Sequence, residues 1–307
     1  MTDISVEALS YRYGNEVDAL HDISFDAPSG AIMGLLGANA AGKTTLLQCC
    51  AGLRKPNAGR VIVGGQDAAS RALIVSGVIG YVAEGVRLPS DMTLAQLERW
   101  LAPLHARWDA HTAASLRERF ALDDSRRLST LSRGEYVKAA LLCTLAARPR
   151  VLLMDEPFTG IDVVTKDEIV RALLATSTAG EMTVVIASHD IAEIESVMSH
   201  AVILNTGRVQ VAGSMERIRE RYRRVTMVGG DDILAVFARE QAWLEIERAG
   251  RLVSVVADSE QTPLDHAMLS RRFSGADSIT IDDLSLRELF TSVVRSSRNG
   301  ASRAEAA

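Results

Sequence analysis

Short apolar runs alternate with helical patterns through the first two-thirds of the chain. Four runs have this character: "AIMGLLG" at 31–37, "VSGVIGYV" at 75–82, "RVLLMDEP" at 150–157 and "MTVVIAS" at 182–188. Continuous apolar strands separated by helices are typical of a parallel sheet that is buried on both faces. The pattern therefore predicts an α/β domain.

Other patterns predict additional parts. The opening runs "ISVEALSYRY" and "LHDISFDAP" alternate apolar and polar positions, as in an antiparallel sheet. Helical spacing in "TLAQLERWLAPLHARW", after a candidate cap at Asp91, and in "YVKAALLCTLAA" predicts a helical subdomain inserted at about 88–148. We expect a first domain over 1–217, a small C-terminal α+β accessory domain over 218–296, and a disordered tail over 297–307.

Composition narrows the class of protein. With 47% apolar residues, 24% charged residues and a formal net charge of −5, the chain is not expected to coat nucleic acid, so we expect no nucleic-acid partner. The three cysteines have neither the number nor the spacing of a disulfide framework or a zinc site. No secretory signal and no apolar stretch of about 18 residues is recognisable. We expect a cytoplasmic protein that meets a membrane only through a partner or a surface.

The stretch "LLGANAAGKTTLLQCC", residues 35–50, contains the strongest candidate chemistry. Gly37, Gly42, Lys43 and Thr44 fit the pattern G-x-x-x-x-G-K-[ST] between an apolar run and a helical one. Glycines let backbone N–H groups converge on phosphates, and the helix N-terminus adds partial positive charge. The Lys43 ammonium is expected to reach the β- and γ-phosphates, and the Thr44 hydroxyl to ligate Mg²⁺.

A second candidate is the pair of acids that ends "VLLMDEP". A parallel strand delivers Asp155 and Glu156 at its carboxyl end, the edge at which ligands bind in open α/β sheets. We expect Asp155 to hold Mg²⁺ through water and Glu156 to act as the general base for an attacking water.

With these elements in place, residues 3–218 resemble the ATP-binding cassette (ABC) family of transporter ATPases. The segment "LSRGE", residues 131–135, is similar to that family's signature LSGGQ. The resemblance implies a P-loop NTPase cassette that binds ATP and Mg²⁺. It also implies that Ser132 and Gly134 bind the nucleotide held by an opposite subunit, in a head-to-tail homodimer or pseudo-homodimer.

Further family positions follow in order. The resemblance implies that Tyr13, or the neighbouring Tyr11, stacks on adenine. It assigns Glu84 to the position of a Gln that senses Mg²⁺ and faces the membrane partner. "TGID" at 159–162, with Asp162, matches the loop that crosses the dimer interface, and His189 matches the switch histidine that contacts the γ-phosphate. The implied nucleotide contacts within the loop also include Asn39, Ala40 and Thr45.

Several positions depart from the family pattern. Ala38 and Ala40 replace Pro and Gly in the phosphate loop, and Arg133 replaces the first signature glycine. Ala40 is acceptable only if its backbone keeps φ negative. Glu84 and Glu135 stand where Gln is usual, and each adds a negative charge. These changes bear on catalytic rate and coupling more than on nucleotide binding.

The resemblance also suggests a function. "LSRG", "YVAEG" and the ending "IDDLSLRELFTSVVR" are similar to bacterial exporters in which the ATPase and the membrane permease are separate chains. We therefore expect an ATP-hydrolysing subunit of an exporter, bound peripherally to the cytoplasmic face of the plasma membrane. Two alternatives stay open: a soluble ABC ATPase that acts in translation or DNA repair, and a regulatory subunit that binds ATP but hydrolyses it weakly.

Overall fold

A computed structural model describes residues 1–14, 17–70, 77–177, 182–229, 243–261 and 264–304. The chain divides into two compact units, residues 1–209 and 210–307, whereas the sequence pattern suggests a boundary at 217/218. None of the helices in the described ranges combines the length and the apolar character needed to cross a membrane.

A buried parallel sheet forms the centre of the first unit. Its strand order is β10-β9-β3-β8-β7-β6, and the neighbouring pairs from β9 through β6 are parallel. The strands are β3 (Ile32–Leu36), β6 (Ile79–Val82), β7 (Val151–Asp155), β8 (Thr183–Ser188), β9 (His200–Asn205) and β10 (Arg208–Ser214), of which β10 begins before and ends after the boundary at residue 209. β3, β7 and β8 are buried along their whole length, which is the environment that their continuous apolar runs predict. The α/β fold is thereby confirmed.

An antiparallel sheet with order β2-β1-β4-β5 lies beside the parallel one. Its strands are β1 (Thr2–Tyr13), β2 (Val17–Pro28), β4 (Ala58–Val63) and β5 (Gln66–Asp67). Buried side chains of both sheets and of the helix between them form one hydrophobic core. A buried polar contact also joins the sheets: the Asp3 carboxylate accepts hydrogen bonds from Arg150 Nε at 2.8 Å and from Thr183 Oγ1 at 2.6 Å.

The described part of the first unit also contains the α-helices α1 (Lys43–Cys50), α2 (Leu94–Leu101), α3 (Ala110–Arg119), α4 (Arg133–Ala146) and α5 (Val163–Ser177). Helices α2 to α4 occupy the segment predicted as a helical insertion. The cap of α2 is Thr93 rather than the predicted Asp91, because Thr93 and Gln96 form a reciprocal capping box. Cys49, Cys50 and Cys143 are buried, and burial raises the pKa of the Cys49 thiol to about 11.

The second unit is built on an antiparallel sheet with order β12-β13-β11-β14. Its elements are α6 (Met215–Arg221), β11 (Tyr222–Gly229), β12 (Trp243–Ala249), β13 (Leu252–Asp258), α7 (His266–Arg272), β14 (Ala276–Asp283) and α8 (Leu286–Ala304). It has its own apolar core, which includes Val225, Trp243 and Phe273. The run "DDILAVFAREQ", residues 231–241, lies outside the described residues. Helix α8 extends to Ala304 and so overlaps the range 297–307 for which the sequence predicts a disordered tail.

Candidate functional site

The phosphate-loop segment connects β3 to α1. Gly42 precedes α1 with φ 105°, and a Cβ atom there would lie 2.8 Å from the Ala19 carbonyl oxygen. A Cβ atom at Gly37 would lie 2.7 Å from the Leu204 carbonyl oxygen. Both glycines are therefore required by close backbone approach, and Gly42 also by its left-handed conformation.

Ala40 has φ 63°, so the negative φ under which an alanine would be acceptable at this position is not what the structure has. The Ala41 N–H donates to the Ala38 carbonyl at 3.1 Å and closes a four-residue turn with Ala40 in the third position. Turns with positive φ at this position normally have glycine there. The closure of the loop thus holds an alanine in a conformation that costs about 1 kcal/mol.

Lys43 is the buried cation of the loop, with 6% of its surface exposed. Its Nζ atom donates to the carbonyl oxygens of Gly37, at 2.8 Å, and Ala38, at 3.2 Å. The same atom lies 3.1 Å from Oε1 of Glu156. The structure therefore brings the predicted phosphate-binding lysine and the predicted general base into direct contact.

Glu156 and His189 follow two adjacent parallel strands, β7 and β8. Oε2 of Glu156 and Nδ1 of His189 are 2.8 Å apart. Glu156 is buried and has φ 47°, and its N–H donates to the Ala187 carbonyl at 3.0 Å. Non-glycine residues held at positive φ are concentrated at functional sites, where the surrounding structure offsets the strain. One carboxylate thus contacts a lysine with one oxygen and a histidine with the other.

Asp155 ends β7 and is 1% exposed. Burial raises the pKa of Asp155 above its ordinary value, the Thr44 hydroxyl opposes this by hydrogen bonding, and the charges of Glu156 and Glu84 raise the pKa further. The Tyr81 hydroxyl donates to Oδ2 at 3.4 Å.

Oδ1 of Asp155 is buried and has no hydrogen-bond partner among the described residues. An unpaired buried carboxylate oxygen next to a threonine hydroxyl fits a hard divalent cation. In the described ranges, no group of three or more His, Cys, Asp or Glu side chains has the arrangement of a metal site. An ion at Thr44 and Asp155 would therefore need further ligands from a bound phosphate or from water.

Most of the predicted site residues border a cavity of about 890 Å³; Asp155 and Gly37 are not among its lining residues. The predicted residues that line it are Tyr13, Asn39, Ala40, Gly42, Lys43, Thr44, Thr45, Glu84, Glu156 and His189. Tyr13 lines the cavity, whereas Tyr11 packs against the hydrophobic core. The Tyr13 hydroxyl shares a hydrogen bond with Thr45 Oγ1 at 2.9 Å, and Arg54 Cζ lies 4.6 Å from the centroid of the Tyr13 ring.

Ser132, Gly134 and Asp162 are also absent from the lining of this cavity. Ser132 caps α4, where its hydroxyl accepts from Glu135 N–H at 3.3 Å and Glu135 accepts from Ser132 N–H at 2.7 Å. This backbone hydrogen bond, aided by Arg126, lowers the pKa of Glu135. Gly134 is in the first turn of α4, and Asp162 accepts hydrogen bonds from the backbone and hydroxyl of Thr165. Ser132 and Asp162 are thus each engaged at the start of a helix, α4 and α5 respectively.

The cavity also includes residues that the sequence patterns do not identify, among them His21, Thr206 and Gly207. Gly207 N–H donates to the Ala41 carbonyl at 3.0 Å, and His21 N–H donates to the Gly207 carbonyl at 2.7 Å. The turn after β9 is thereby hydrogen-bonded both to the phosphate loop and to strand β2. Because these segments are far apart in the chain, no local sequence pattern predicts their contacts. The sequence indicates only that β1 and β2 can form a hairpin, which brings β2 back towards Tyr13.

Comparison with known proteins places these features in a family context. A family model described as "ABC transporter" matches residues 20–159. The chain is 32% identical over 222 residues to the sulfate/thiosulfate import ATP-binding protein CysA of Synechocystis, covering 71% of this chain and 62% of that protein. It is 27% identical to the ABC transporter ATP-binding protein YtrB of Bacillus subtilis, covering 79% of this chain and 82% of that protein.

A solved structure of the ATP-binding subunit of an ABC transporter superposes with a TM-score of 0.65 at 25% identity, covering 71% of this chain and 92% of that chain. The import proteins, at about one-third identity, are covered over a smaller share of their length than the B. subtilis protein is. The chain spans about three-fifths of the length of the Synechocystis protein and a similar share of a molybdenum import ATP-binding protein of Rhodobacter capsulatus.

Proposed function

Because the chain belongs to the ABC transporter family of ATP-binding proteins and its first unit has the fold of the ABC cassette, we propose that it binds ATP in the 890 Å³ cavity and hydrolyses it to drive a separate membrane permease. The observation that carries the proposal is the meeting of Lys43, Glu156 and His189 at one wall of this cavity. A cation for phosphate and a base for water are groups that phosphoryl transfer to water uses, and the imidazole of His189 contacts that base.

The chain's own residues supply distinct steps. The phosphate loop and the N-terminus of α1 hold the β- and γ-phosphates, and the Lys43 ammonium neutralises part of their charge. Glu156 accepts a proton from the attacking water. The water oxygen bonds to the γ-phosphorus, and the bond from the γ-phosphorus to the oxygen that bridges the β- and γ-phosphates breaks. His189 holds one Glu156 oxygen in place, and Tyr13 supports the base of the nucleotide.

Thr44 and Asp155 would hold Mg²⁺, which when bound neutralises phosphate charge; Glu84 borders the same cavity. Two observations support this role: the unpaired Oδ1 of Asp155 and the raised pKa of its carboxyl. A cation bound next to Asp155 would contact the unpaired oxygen in place of a hydrogen bond. It would also compensate the negative charge that burial disfavours.

Ser132, Gly134 and Asp162 serve a second copy of the cassette under this proposal. They lie apart from the cavity of their own chain, which supports a role at the nucleotide of a partner in a head-to-tail dimer. The capped N-terminus of α4 has the partial positive charge that favours a phosphate. The dimer then closes and opens with ATP binding and hydrolysis on the cytoplasmic face of the membrane.

The direction of transport is a finer proposal. Relatives at 31–32% identity are import proteins by name, so they do not support the exporter interpretation. That interpretation rests on the resemblance of "LSRG" and of the C-terminal segment to exporter ATPases, and on the B. subtilis relative, which matches over most of its length. Reconstitution with the permease in vesicles, followed by measurement of the side on which cargo accumulates, tests the direction.

A weakly hydrolysing regulatory subunit is the second candidate, favoured by the left-handed Ala40 within the phosphate loop. Steady-state phosphate release by the purified chain separates the two. Hydrolysis that depends on Mg²⁺ and is lost in Lys43→Ala supports the enzyme. Tight ATP binding with turnover no faster than in Glu156→Gln supports the regulatory subunit.

A further inference from the structure

The Arg133 side chain packs directly on Gly160. A Cβ atom placed on Gly160 would lie 2.7 Å from Nη1 and 3.1 Å from Cζ of Arg133, and Gly160 has φ 70°. The guanidinium therefore lies over a backbone segment that only glycine leaves open. The contact joins the first turn of α4 to the loop 159–162, which precedes α5.

Two neighbouring contacts join the same helices. A Cβ atom on Gly134 would lie 2.9 Å from Cγ2 of Thr165, and Thr165 in turn donates two hydrogen bonds to Asp162. One turn further along, the buried Lys138 of α4 forms an ion pair with Glu168 of α5. The N-terminal halves of α4 and α5 are thus packed closely together, and Arg133 extends this contact onto the loop.

The loop 159–162 is connected to the catalytic wall of the cavity. Thr159 lines the cavity, and its N–H donates to the Glu156 carbonyl at 3.4 Å. Ile161 N–H donates to the Phe158 carbonyl at 3.2 Å, which keeps the loop tightly turned. A displacement of Gly160 is therefore transmitted over four residues to the proposed general base.

The contact is one of packing rather than ion pairing. Within the described ranges, the Arg133 guanidinium forms no ion pair with a carboxylate, and Arg133 is exposed on its other side. A planar guanidinium stacks on flat groups, whereas the ammonium of lysine is a hydrated point charge on a flexible chain. The glycine usual at this position in the family has no side chain with which to make the contact.

We propose that Arg133 is a positioning residue, which fixes the loop 159–162 against α4 and thereby sets the placement of Glu156. The role in hydrolysis rests on the proposed function; the role in ordering the loop does not. Where the family signature has a flexible glycine, this chain has Arg133, whose side chain contacts the loop 159–162. Arg133 is not among the residues that line the 890 Å³ cavity.

Hydrogen–deuterium exchange of the nucleotide-free chain tests the structural part. Arg133→Ala and Arg133→Lys are both expected to speed exchange of amides in 159–162 several-fold, since neither has the guanidinium plane. The matched control is Arg127→Ala, an exposed arginine six residues earlier, which should leave these amides unchanged. Unchanged exchange in Arg133→Ala, or full protection in Arg133→Lys, would overturn the proposal.

A double-mutant cycle tests the catalytic part. Arg133→Ala and Gly160→Ala are each expected to lower kcat roughly 10- to 100-fold with the KM for ATP and the melting temperature of Arg133→Ala unchanged. The double variant should be no slower than Gly160→Ala alone, because both changes break one contact. Multiplying losses, or a loss in KM alone, would contradict the proposal. If the wild type itself does not hydrolyse ATP, the proposed function fails, while the exchange experiment still decides the role of Arg133.

Discussion

The Nζ atom of Lys43 lies 3.1 Å from Oε1 of Glu156, and both side chains are buried. Under the proposed function, the cation needed by the phosphates and the carboxylate needed by the water neutralise each other before ATP arrives. Phosphates that attract Lys43 compete with Glu156 for it, so nucleotide binding also frees the base. Binding and activation of the base are thereby linked through one ion pair.

Glu156→Gln is expected to lower hydrolysis by about 10²- to 10⁴-fold, the range of general-base catalysis, without loss of ATP binding. The amide keeps the shape of the side chain but accepts no proton from water. Phosphate release measures the rate, and size-exclusion chromatography with ATP should show an accumulated dimer. Glu118→Gln, on the exposed face of α3, is the control and should behave as wild type. A wild-type rate in Glu156→Gln would remove Glu156 from the mechanism.

Ala40→Gly is expected to raise the free energy of unfolding by about 0.5–1 kcal/mol, because glycine adopts φ 63° without the steric cost of Cβ. Ala41→Gly is the matched control, since Ala41 is buried at an ordinary φ and its loss of a methyl group should destabilise by about 1 kcal/mol. Urea denaturation measures both. Equal destabilisation of the two variants would show that Ala40 is not strained.

Asp155→Asn is expected to stabilise the nucleotide-free chain at neutral pH. Because the pKa of Asp155 is raised in the folded state, the folded chain binds a proton more tightly than the unfolded one. The free energy of unfolding therefore falls as pH rises from the ordinary pKa of 3.8 through the higher folded value, and Asn removes this loss. Melting temperatures from pH 4 to pH 8 should show a gap between variant and wild type that widens and then levels off.

The same Asp155→Asn variant should lose most Mg²⁺-dependent hydrolysis and gain less thermal stability from Mg²⁺ with ATP than the wild type gains. Activity and stability thus move in opposite directions. A variant that is less stable than wild type at every pH would contradict the interpretation of Asp155 as a buried charge held for a cation.

Asp3→Ala is expected to destabilise the first unit by about 3 kcal/mol, towards the lower end of the range for a broken buried pair because Arg150 is partly exposed. The carboxylate holds Arg150 and Thr183 between the two sheets. Glu7→Ala, which removes an exposed ion pair with Arg60, should cost at most about 1 kcal/mol. Chemical denaturation followed by far-UV circular dichroism compares the two, and equal costs would exclude Asp3 as a link between the sheets.

Much of the first unit could be predicted from sequence because its strands are buried on both faces. Runs such as that of β7 leave few alternatives to a central parallel strand. Strands β9 and β10 were harder to predict, because they are joined by a tight turn at Thr206 and Gly207, both with positive φ. The Thr93 cap was hidden by Asp91, which is an equally good capping residue two positions earlier.

The candidate site could be predicted only as far as local patterns extend. The spacing of Gly37, Gly42 and Lys43 indicates a phosphate loop without knowledge of its surroundings. The ion pair between Lys43 and Glu156 depends on the order of strands in the sheet, which no local pattern contains. The left-handed backbone of Ala40 is likewise set by closure of the turn, and its methyl group predicts the opposite sign of φ.

Tyr13, which lines the cavity, bears on the choice of nucleotide. The Tyr13 ring is packed by Arg54 and its hydroxyl is engaged by Thr45, so the proposed contact with the base is made by the ring and not by a hydrogen bond from the phenol. A ring face stacks on any purine alike, because every base has a π-face. Under the proposed function, GTP should therefore compete with ATP for this site, and displacement of bound ATP by GTP would show that the tyrosine selects for purines rather than for adenine.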